Sequence, residues 1–180
     1  MCSGNGSNFE NIVRSVTKHE VVLMIHNTKV CGAAMRAEKL GIPHCRIKAK
    51  HEDQMVQLFE AWHVDLIVLA GYMRVIKNPD AFTAPIINVH PSLLPKYKGL
   101  HAVEQALESG DRESGCTVHY VNEELDGGDI IEQSRVPICS DDTVETLQHR
   151  IQRAEYRLLP IVINNLAHEQ AQTRRMVIHN

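Results

Sequence analysis

Residues 85–97, PIINVHPSLLPKY, place Asn88 and His90 two positions apart behind the apolar pair Ile86-Ile87. On a strand, residues two apart project to one face, with Val89 on the other. An amide supplies N–H donors, and an imidazole supplies a donor or a proton. Two such donors side by side can stabilise an oxyanion. Pro91 and Pro95 then forbid regular structure. The same residues also fit a plain strand end whose polar groups satisfy the turn that follows. Ser92, Tyr97 and His101 add polarity downstream. No Gly-x-Ser-x-Gly surrounds Ser92, so it does not read as a nucleophile.

Two further stretches carry chemical potential. The first is SGNGSN, residues 3–8, just ahead of a helical pattern. Gly4 and Gly6 leave backbone N–H groups uncovered, and a helix start behind such a loop favours an anion, commonly phosphate. It is neither a dinucleotide fingerprint, because Phe9 holds the third glycine position, nor a P-loop, because no Gly-Lys-Ser/Thr follows. A plain turn is the competing reading. The second is ELDGGD, residues 124–129, where Asp126 precedes two glycines. Asp126 is either a solvated turn residue or a carboxylate that faces His90 and moves a proton.

The elements that must position these residues follow from periodicity. Strand-like runs lie at 21–25, 66–70, 86–89, 116–121 and 130–136. Helical spacing appears at 9–16, 31–40 and 53–62, and from Thr143 onward through Val144, Leu147, Ile151, Ala154 and Leu158. Asp141 or Asp142 is the expected cap of that last helix, and Pro160 is expected to kink or break it. Residues 173–180, TRRMVIHN, are expected to form a small strand or to fray. Strands alternating with helices predict one α/β domain with a mostly parallel sheet. In such sheets ligands bind at the carboxyl ends of the strands, where Asn88 and His90 would lie.

Composition narrows the function classes. The 180 residues are 43% hydrophobic and 23% charged, enough for one core of good size. A net charge of −3 offers no basic footprint for nucleic acid. The apolar runs are too short to span a bilayer, and no secretory pattern opens the chain. Five scattered cysteines without a C-x-x-C pair fit a reducing cytoplasm. Eleven histidines form neither H-E-x-x-H nor H-x-H, so no metal site is expected.

Taken in order, SGNGSN, LAGYMRVI, NVHPSLLPKYKG, HAVEQALESG, GCTVHYV, ELDGGDII and DTVETLQHRIQRAEYRLLP resemble the glycinamide ribonucleotide branch of the folate-dependent formyltransferase family. The resemblance covers nearly the whole chain. It implies a Rossmann-like three-layer sandwich, with residues 1–180 as a single domain. It also implies transfer of a formyl group from 10-formyltetrahydrofolate, the co-substrate, to the amine of glycinamide ribonucleotide. The amine attacks directly, with no metal and no covalent intermediate. Asn88, His90 and Asp126 match the family's catalytic trio. Gly4, Asn5, Gly6, Ser7 and Asn8 match its phosphate loop, and Glu155 matches a contact to the substrate ribose. Met73, Arg74, Val75 and Ile76, with the backbone before Asp126, match the folate pocket. The implied partners are small molecules only.

One departure stands out. Family members open with an apolar strand that runs into the Gly-rich loop, whereas only Met1 and Cys2 precede Ser3 here. The expectation is a truncated first strand, a trough flanked by Leu23, Ile67, Val68 and Ile87, and weak support for residues 3–8. Alternatives are a formyltetrahydrofolate hydrolase, a related formyltransferase, and a non-catalytic binder of a phosphorylated metabolite.

Overall fold

A computed structural model describes residues 1–177, with side chains through residue 166. The first half of the chain alternates helix and strand: α1 (Ser7–Ser15), β1 (Met24–His26), α2 (Gly32–Leu40), β2 (His44–Arg46), α3 (Glu52–Ala61) and β3 (Ile67–Leu69). A 3₁₀ turn at Pro79–Ala81 leads to β4 (Ile86–His90). Then come α4 (Ala102–Glu108), β5 (Glu113–Tyr120), β6 (Ile130–Pro137) and α5 (Val144–Val177).

Pairing is parallel between β1 and β2 and between β3 and β4. It is antiparallel for β4–β5 and β5–β6, the last pair being joined by the loop that contains Asp126. The expected α/β fold with a parallel sheet is therefore present, and a hairpin extends it to a mixed sheet. Residues 1–3 lie between β1 and β3. The Cys2 N–H donates to the Ile25 carbonyl at 3.0 Å, and the Ala70 N–H donates to the Met1 carbonyl at 2.9 Å. Beyond Met1 the two strands diverge around a cavity of about 340 Å³, whose lining includes Ile12, Leu23, Ile25, Phe59, Leu66 and Val68. Of the four residues expected to flank a trough, Leu23, Ile67 and Val68 line this cavity and Ile87 does not.

Side-chain alternation sorts the two faces. Ile87 and Val89 of β4 join Cys116 and Val118 of β5 against Leu147, Ile151 and Ala154 of α5. Ile86 turns the other way and packs with Met55 and Phe59 of α3. Phe9 and Met24 close a third cluster with Ala33 and Ala37 of α2. Helices cover both faces, so the sheet is the middle of three layers.

Several local expectations need correction. The run at 21–25 forms a strand only from Met24, because Val21 and Leu23 line the cavity and find no ladder there. β2 and α4 had no clear apolar run or periodic signal. Thr143 caps α5, its Oγ1 accepting from the Thr146 N–H at 3.3 Å, in place of the two aspartates. Asp142 instead accepts from the Cys139 N–H and pairs with Arg150.

Pro160 does not break α5, which continues to Val177. A proline cannot donate to the carbonyl four residues back, here that of Tyr156. The Asn11 amide donates to that carbonyl at 2.8 Å and ties α1 to α5. Residues 173–177 are helical rather than a strand, and 178–180 lie outside the described residues.

Candidate active site

Asn88 and His90 share the face of β4 opposite Ile87 and Val89. Their antiparallel partners on β5 are His119 and Thr117, whose side chains fall on that same face. The loop between β5 and β6 brings Asp126 across it. One Asp126 oxygen, Oδ2, stands 3.4 Å from His90 Nδ1, and the other, Oδ1, stands 3.6 Å from His119 Nε2. The Gly99 N–H donates to Oδ2 at 2.8 Å. Both carboxylate oxygens are thus occupied, and the Asp126 side chain is only 7% exposed.

The backbone beneath Asp126 is specialised. Asp126 has φ 49°, a left-handed conformation that Asp tolerates better than most residues. Gly128 faces the Tyr120 carbonyl so closely that a Cβ would fall 1.9 Å from its oxygen. Only glycine lets the loop return against β5 at that point.

Hydrogen-bond roles follow from what each partner can do. The Tyr97 carbonyl only accepts, so His90 donates Nε2–H to it at 2.8 Å. His90 Nδ1 faces a carboxylate, so both ring nitrogens meet acceptors, and only a doubly protonated ring serves both. His119 donates Nδ1–H to the Tyr120 carbonyl at 2.7 Å. Its Nε2 faces both the Asn88 amide at 3.3 Å and Asp126 Oδ1 at 3.6 Å, and Asn88 keeps an N–H for the face above.

Electrostatics agree with an ionised Asp126. Burial raises its carboxyl, but the His119 contact, the Gly99 N–H and the charge of His90 outweigh it and hold the group below the usual aspartate range. Ser92 is fully buried and donates to the Lys96 carbonyl at 2.5 Å, a structural role.

The phosphate-loop candidates lie at the start of α1. Gly6 is its N-cap, with φ 79°. A Cβ on Gly6 would lie 2.5 Å from Ala33, so α2 packs directly against the loop. The loop is better held than expected. Ser3 N–H donates to Gly71 O, the Thr28 hydroxyl to Ser3 O, Ala33 N–H to Gly4 O and Arg36 Nε to Asn5 O. Ties from α2, from the loop after β3 and from Thr28 fix residues 3–5 in place.

Asn8 points from α1 to α5 and donates to Glu155 at 2.8 Å. Burial pushes the Glu155 carboxyl up to about 7, against the pull of the Asn8 donor. Ser7 accepts from Gln152 one turn earlier on the same helix face.

Met73, Arg74 and Val75 are exposed on the loop after β3, whereas Ile76 is buried in the core beside Ile25 and Phe82. Ile76 therefore anchors that loop from below, and Met73 and Val75 present apolar surface. Leu100 and Leu125 are exposed as well, at 66% and 52%. The Met73 N–H donates to Ser3 Oγ at 2.9 Å and joins this loop to the phosphate-loop candidate.

Sequence reading missed His119. Its signal was the alternation of the run at 116–121, which puts Thr117 and His119 on one face. Nothing in the sequence alone registered that face opposite Asn88.

A family model described as formyl transferase matches residues 1–163. The chain is 38% identical over 176 residues to the phosphoribosylglycinamide formyltransferase of Haemophilus influenzae, covering 91% of this chain and 83% of that protein. It is 40% identical over 186 residues to the trifunctional purine biosynthetic protein adenosine-3 of Drosophila melanogaster, covering 93% of this chain and spanning 14% of that protein. A crystal structure of phosphoribosylglycinamide formyltransferase from Anaplasma phagocytophilum superposes with TM-score 0.89 at 37% identity, covering 93% of this chain and 84% of that one. The corresponding structure from Bacillus halodurans gives TM-score 0.87 at 38% identity, with 92% of each chain covered.

Proposed function

Since this chain belongs to the formyl transferase family, we propose that it is a phosphoribosylglycinamide formyltransferase of purine biosynthesis, acting through residues 1–180 as one domain. It passes the formyl group of 10-formyltetrahydrofolate to the amine of 5′-phosphoribosylglycinamide. The observation that carries this reading is the contact of His90 with Asp126 beside Asn88, on one strand face.

The substrate amine attacks the formyl carbon, and the carbonyl oxygen gains negative charge. The free N–H of Asn88 stabilises that oxyanion, and preorganised donors of this kind typically contribute about 10²–10³ in rate. The protonated ring of His90 adds a second donor once its Nε2–H turns from the Tyr97 carbonyl to the reacting oxygen. Hydrogen bonds of this sort often tighten only with substrate in place. Asp126 balances the imidazolium charge. It also relays the proton lost by the attacking amine, through water, to the departing folate nitrogen. His119 positions Asn88 and the second oxygen of Asp126.

Residues Gly4, Asn5, Gly6, Ser7 and Asn8 hold the substrate phosphate through backbone N–H groups at the start of α1. Glu155 meets the ribose hydroxyls. Met73, Arg74 and Val75 border the folate, with Ile76 fixing their loop from the core and Leu100 and Leu125 facing it. The five cysteines are all unpaired, which supports a reducing compartment such as the cytoplasm.

The test mixes the protein with glycinamide ribonucleotide and 10-formyltetrahydrofolate and follows both products. Formylated ribonucleotide with stoichiometric tetrahydrofolate is the expected outcome. Free formate would mark a hydrolase instead, and ligand binding without turnover would mark a binder.

A further inference from the structure

The loop that follows β3 has little of its own to hold it. From Arg74 to Ile76 the main chain makes no hydrogen bond among the described residues. Ile76 is 3% exposed and sits in the core, while Met73 and Val75 stand out at 63% and 56%. A segment with few buried contacts and no ladder opens locally at little cost unless something else ties it down.

Glu52 supplies that tie. It is the first residue of α3, and its carboxylate reaches away from its own helix to the loop. Oε1 accepts from the Lys77 N–H at 2.8 Å, and Oε2 accepts from the Asn78 N–H at 3.1 Å. Two successive main-chain N–H groups converging on one anion form a nest, and both bonds are charge-assisted. α3 is a firm base for the contact, because its Met55 and Phe59 are buried with Ile76 and Phe82. The Phe59 and Phe82 ring centroids lie 6.1 Å apart, just beyond the tied residues. At the other end of the loop, burial and then the Glu52 charge push the Tyr72 hydroxyl up to about 12, against the pull of Arg74. The field of this one carboxylate therefore spans the loop from Tyr72 to Asn78.

We propose that Glu52 is a positioning residue for the folate co-substrate, its carboxylate holding Lys77 and Asn78 so that Met73, Arg74 and Val75 are presented in one fixed arrangement. The assignment rests on the reading that this loop borders the folate. Glu52 touches neither substrate and acts through two main-chain N–H groups. A ligand that meets a preset loop avoids the cost of ordering it, so the tie lowers the folate dissociation constant. The groups assigned to the substrate phosphate and to the oxyanion lie on other segments, at the start of α1 and on β4. Loss of the tie should therefore be felt far more by one substrate than by the other.

The test compares Glu52→Ala, Glu52→Gln and Asp53→Ala with the natural chain. The readouts are steady-state kinetics, calorimetric titration with tetrahydrofolate, and amide exchange over residues 73–78. In Glu52→Ala the Michaelis constant for 10-formyltetrahydrofolate and the dissociation constant for tetrahydrofolate should each rise about tenfold. That factor equals about 1.4 kcal/mol, at the lower edge of what hydrogen bonds to a charged group contribute. kcat and the Michaelis constant for glycinamide ribonucleotide should stay within about twofold, and the Lys77 and Asn78 amides should exchange faster. Glu52→Gln keeps one acceptor oxygen without the charge, and its folate constants should rise about threefold. Asp53→Ala removes the other first-turn acid of α3, which makes no such tie, and should match the natural chain. Unchanged folate constants in Glu52→Ala, equal loss for both substrates, or the same loss in Asp53→Ala would each overturn the proposal. A natural chain that binds no tetrahydrofolate would instead refute the formyl-transfer reading itself, and the proposal with it.

Discussion

The two halves of the sheet hold their candidate binding groups by different means. On the antiparallel side, β5 spans eight residues, pairing with β6 over 113–119 and with β4 over 117–120. His90 and His119 rise from that ladder with 5% and 2% exposure, and their partners are backbone carbonyls and Asp126. On the parallel side, β1 and β3 hold three residues each and are joined through residues 1–3. The phosphate-loop candidate there depends on separate ties from Thr28, Ala33 and Arg36. A ladder fixes many groups cooperatively, whereas separate ties can fail one at a time. Substitutions should therefore act on chemistry in the first region and on binding or local stability in the second.

The largest effect should come from Asp126→Asn. The amide keeps the shape of the side chain and loses its charge, and general acid–base roles typically contribute about 10²–10⁴-fold. Turnover should fall within that range while both Michaelis constants stay within a few-fold. Steady-state kinetics on the two substrates would show it, and near-normal turnover would sink the assigned role.

Gly6→Ala tests the other region. The new methyl meets Ala33 at 2.5 Å, on a backbone with φ 79°. Strain of this kind costs about 1–3 kcal/mol. The denaturation midpoint should drop, and affinity for the phosphate-bearing substrate should weaken more than affinity for the folate. Equal weakening of both would mean that the two regions are not separable.

The link between α1 and α5 allows a finer test. Asn11→Ala removes the donor to the half-buried Tyr156 carbonyl, and an acceptor stranded there costs about 1 kcal/mol. Pro160→Ala restores the backbone N–H that α5 lacks. Chemical denaturation of both single variants and the double should show the second change offsetting most of the first. Purely additive losses would refute the compensation.

A further effect concerns pH. Burial raises the folded carboxyl of Glu155 to about 7 from an ordinary value near 4.5. The folded chain then binds more protons than the unfolded chain between those values. The stability contributed by the protonated form is fully present below pH ~4.5 and is lost as pH rises through about 7. Glu155→Gln has no such proton to lose. Its stability relative to the natural chain should be higher at pH 8 than at pH 5, which paired melting curves at the two values would check.

Much of the architecture could be read from periodicity. The stripe Leu147, Ile151, Ala154 and Leu158 is buried as its spacing requires. Glu155, beside it, is buried on the same helix and faces α1. The alternation of Asn88 with Val89 correctly put Asn88 and His90 on one face. What brought Asp126 to that face was the return of a loop over a glycine, a long-range event with no local signature. β2, made of His44, Cys45 and Arg46, was invisible because pairing with β1, rather than apolar content, makes it a strand. Pro160 was misread because its cost was judged within its own helix, while the compensating donor sits about 150 residues earlier on α1.

The bond from Asn11 to the Tyr156 carbonyl also gives substitutions a preferred order. A lineage that first exchanges Pro160 for alanine gains an N–H for the Tyr156 carbonyl and keeps the Asn11 bond, since a carbonyl accepts twice. Position 11 is then free to drift. A lineage that first loses Asn11 passes through a helix with a stranded acceptor. The two routes reach the same final pair of residues, but only the first stays on high ground throughout. The order in which positions 11 and 160 can change at least cost is thus set by one contact between two helices far apart in sequence.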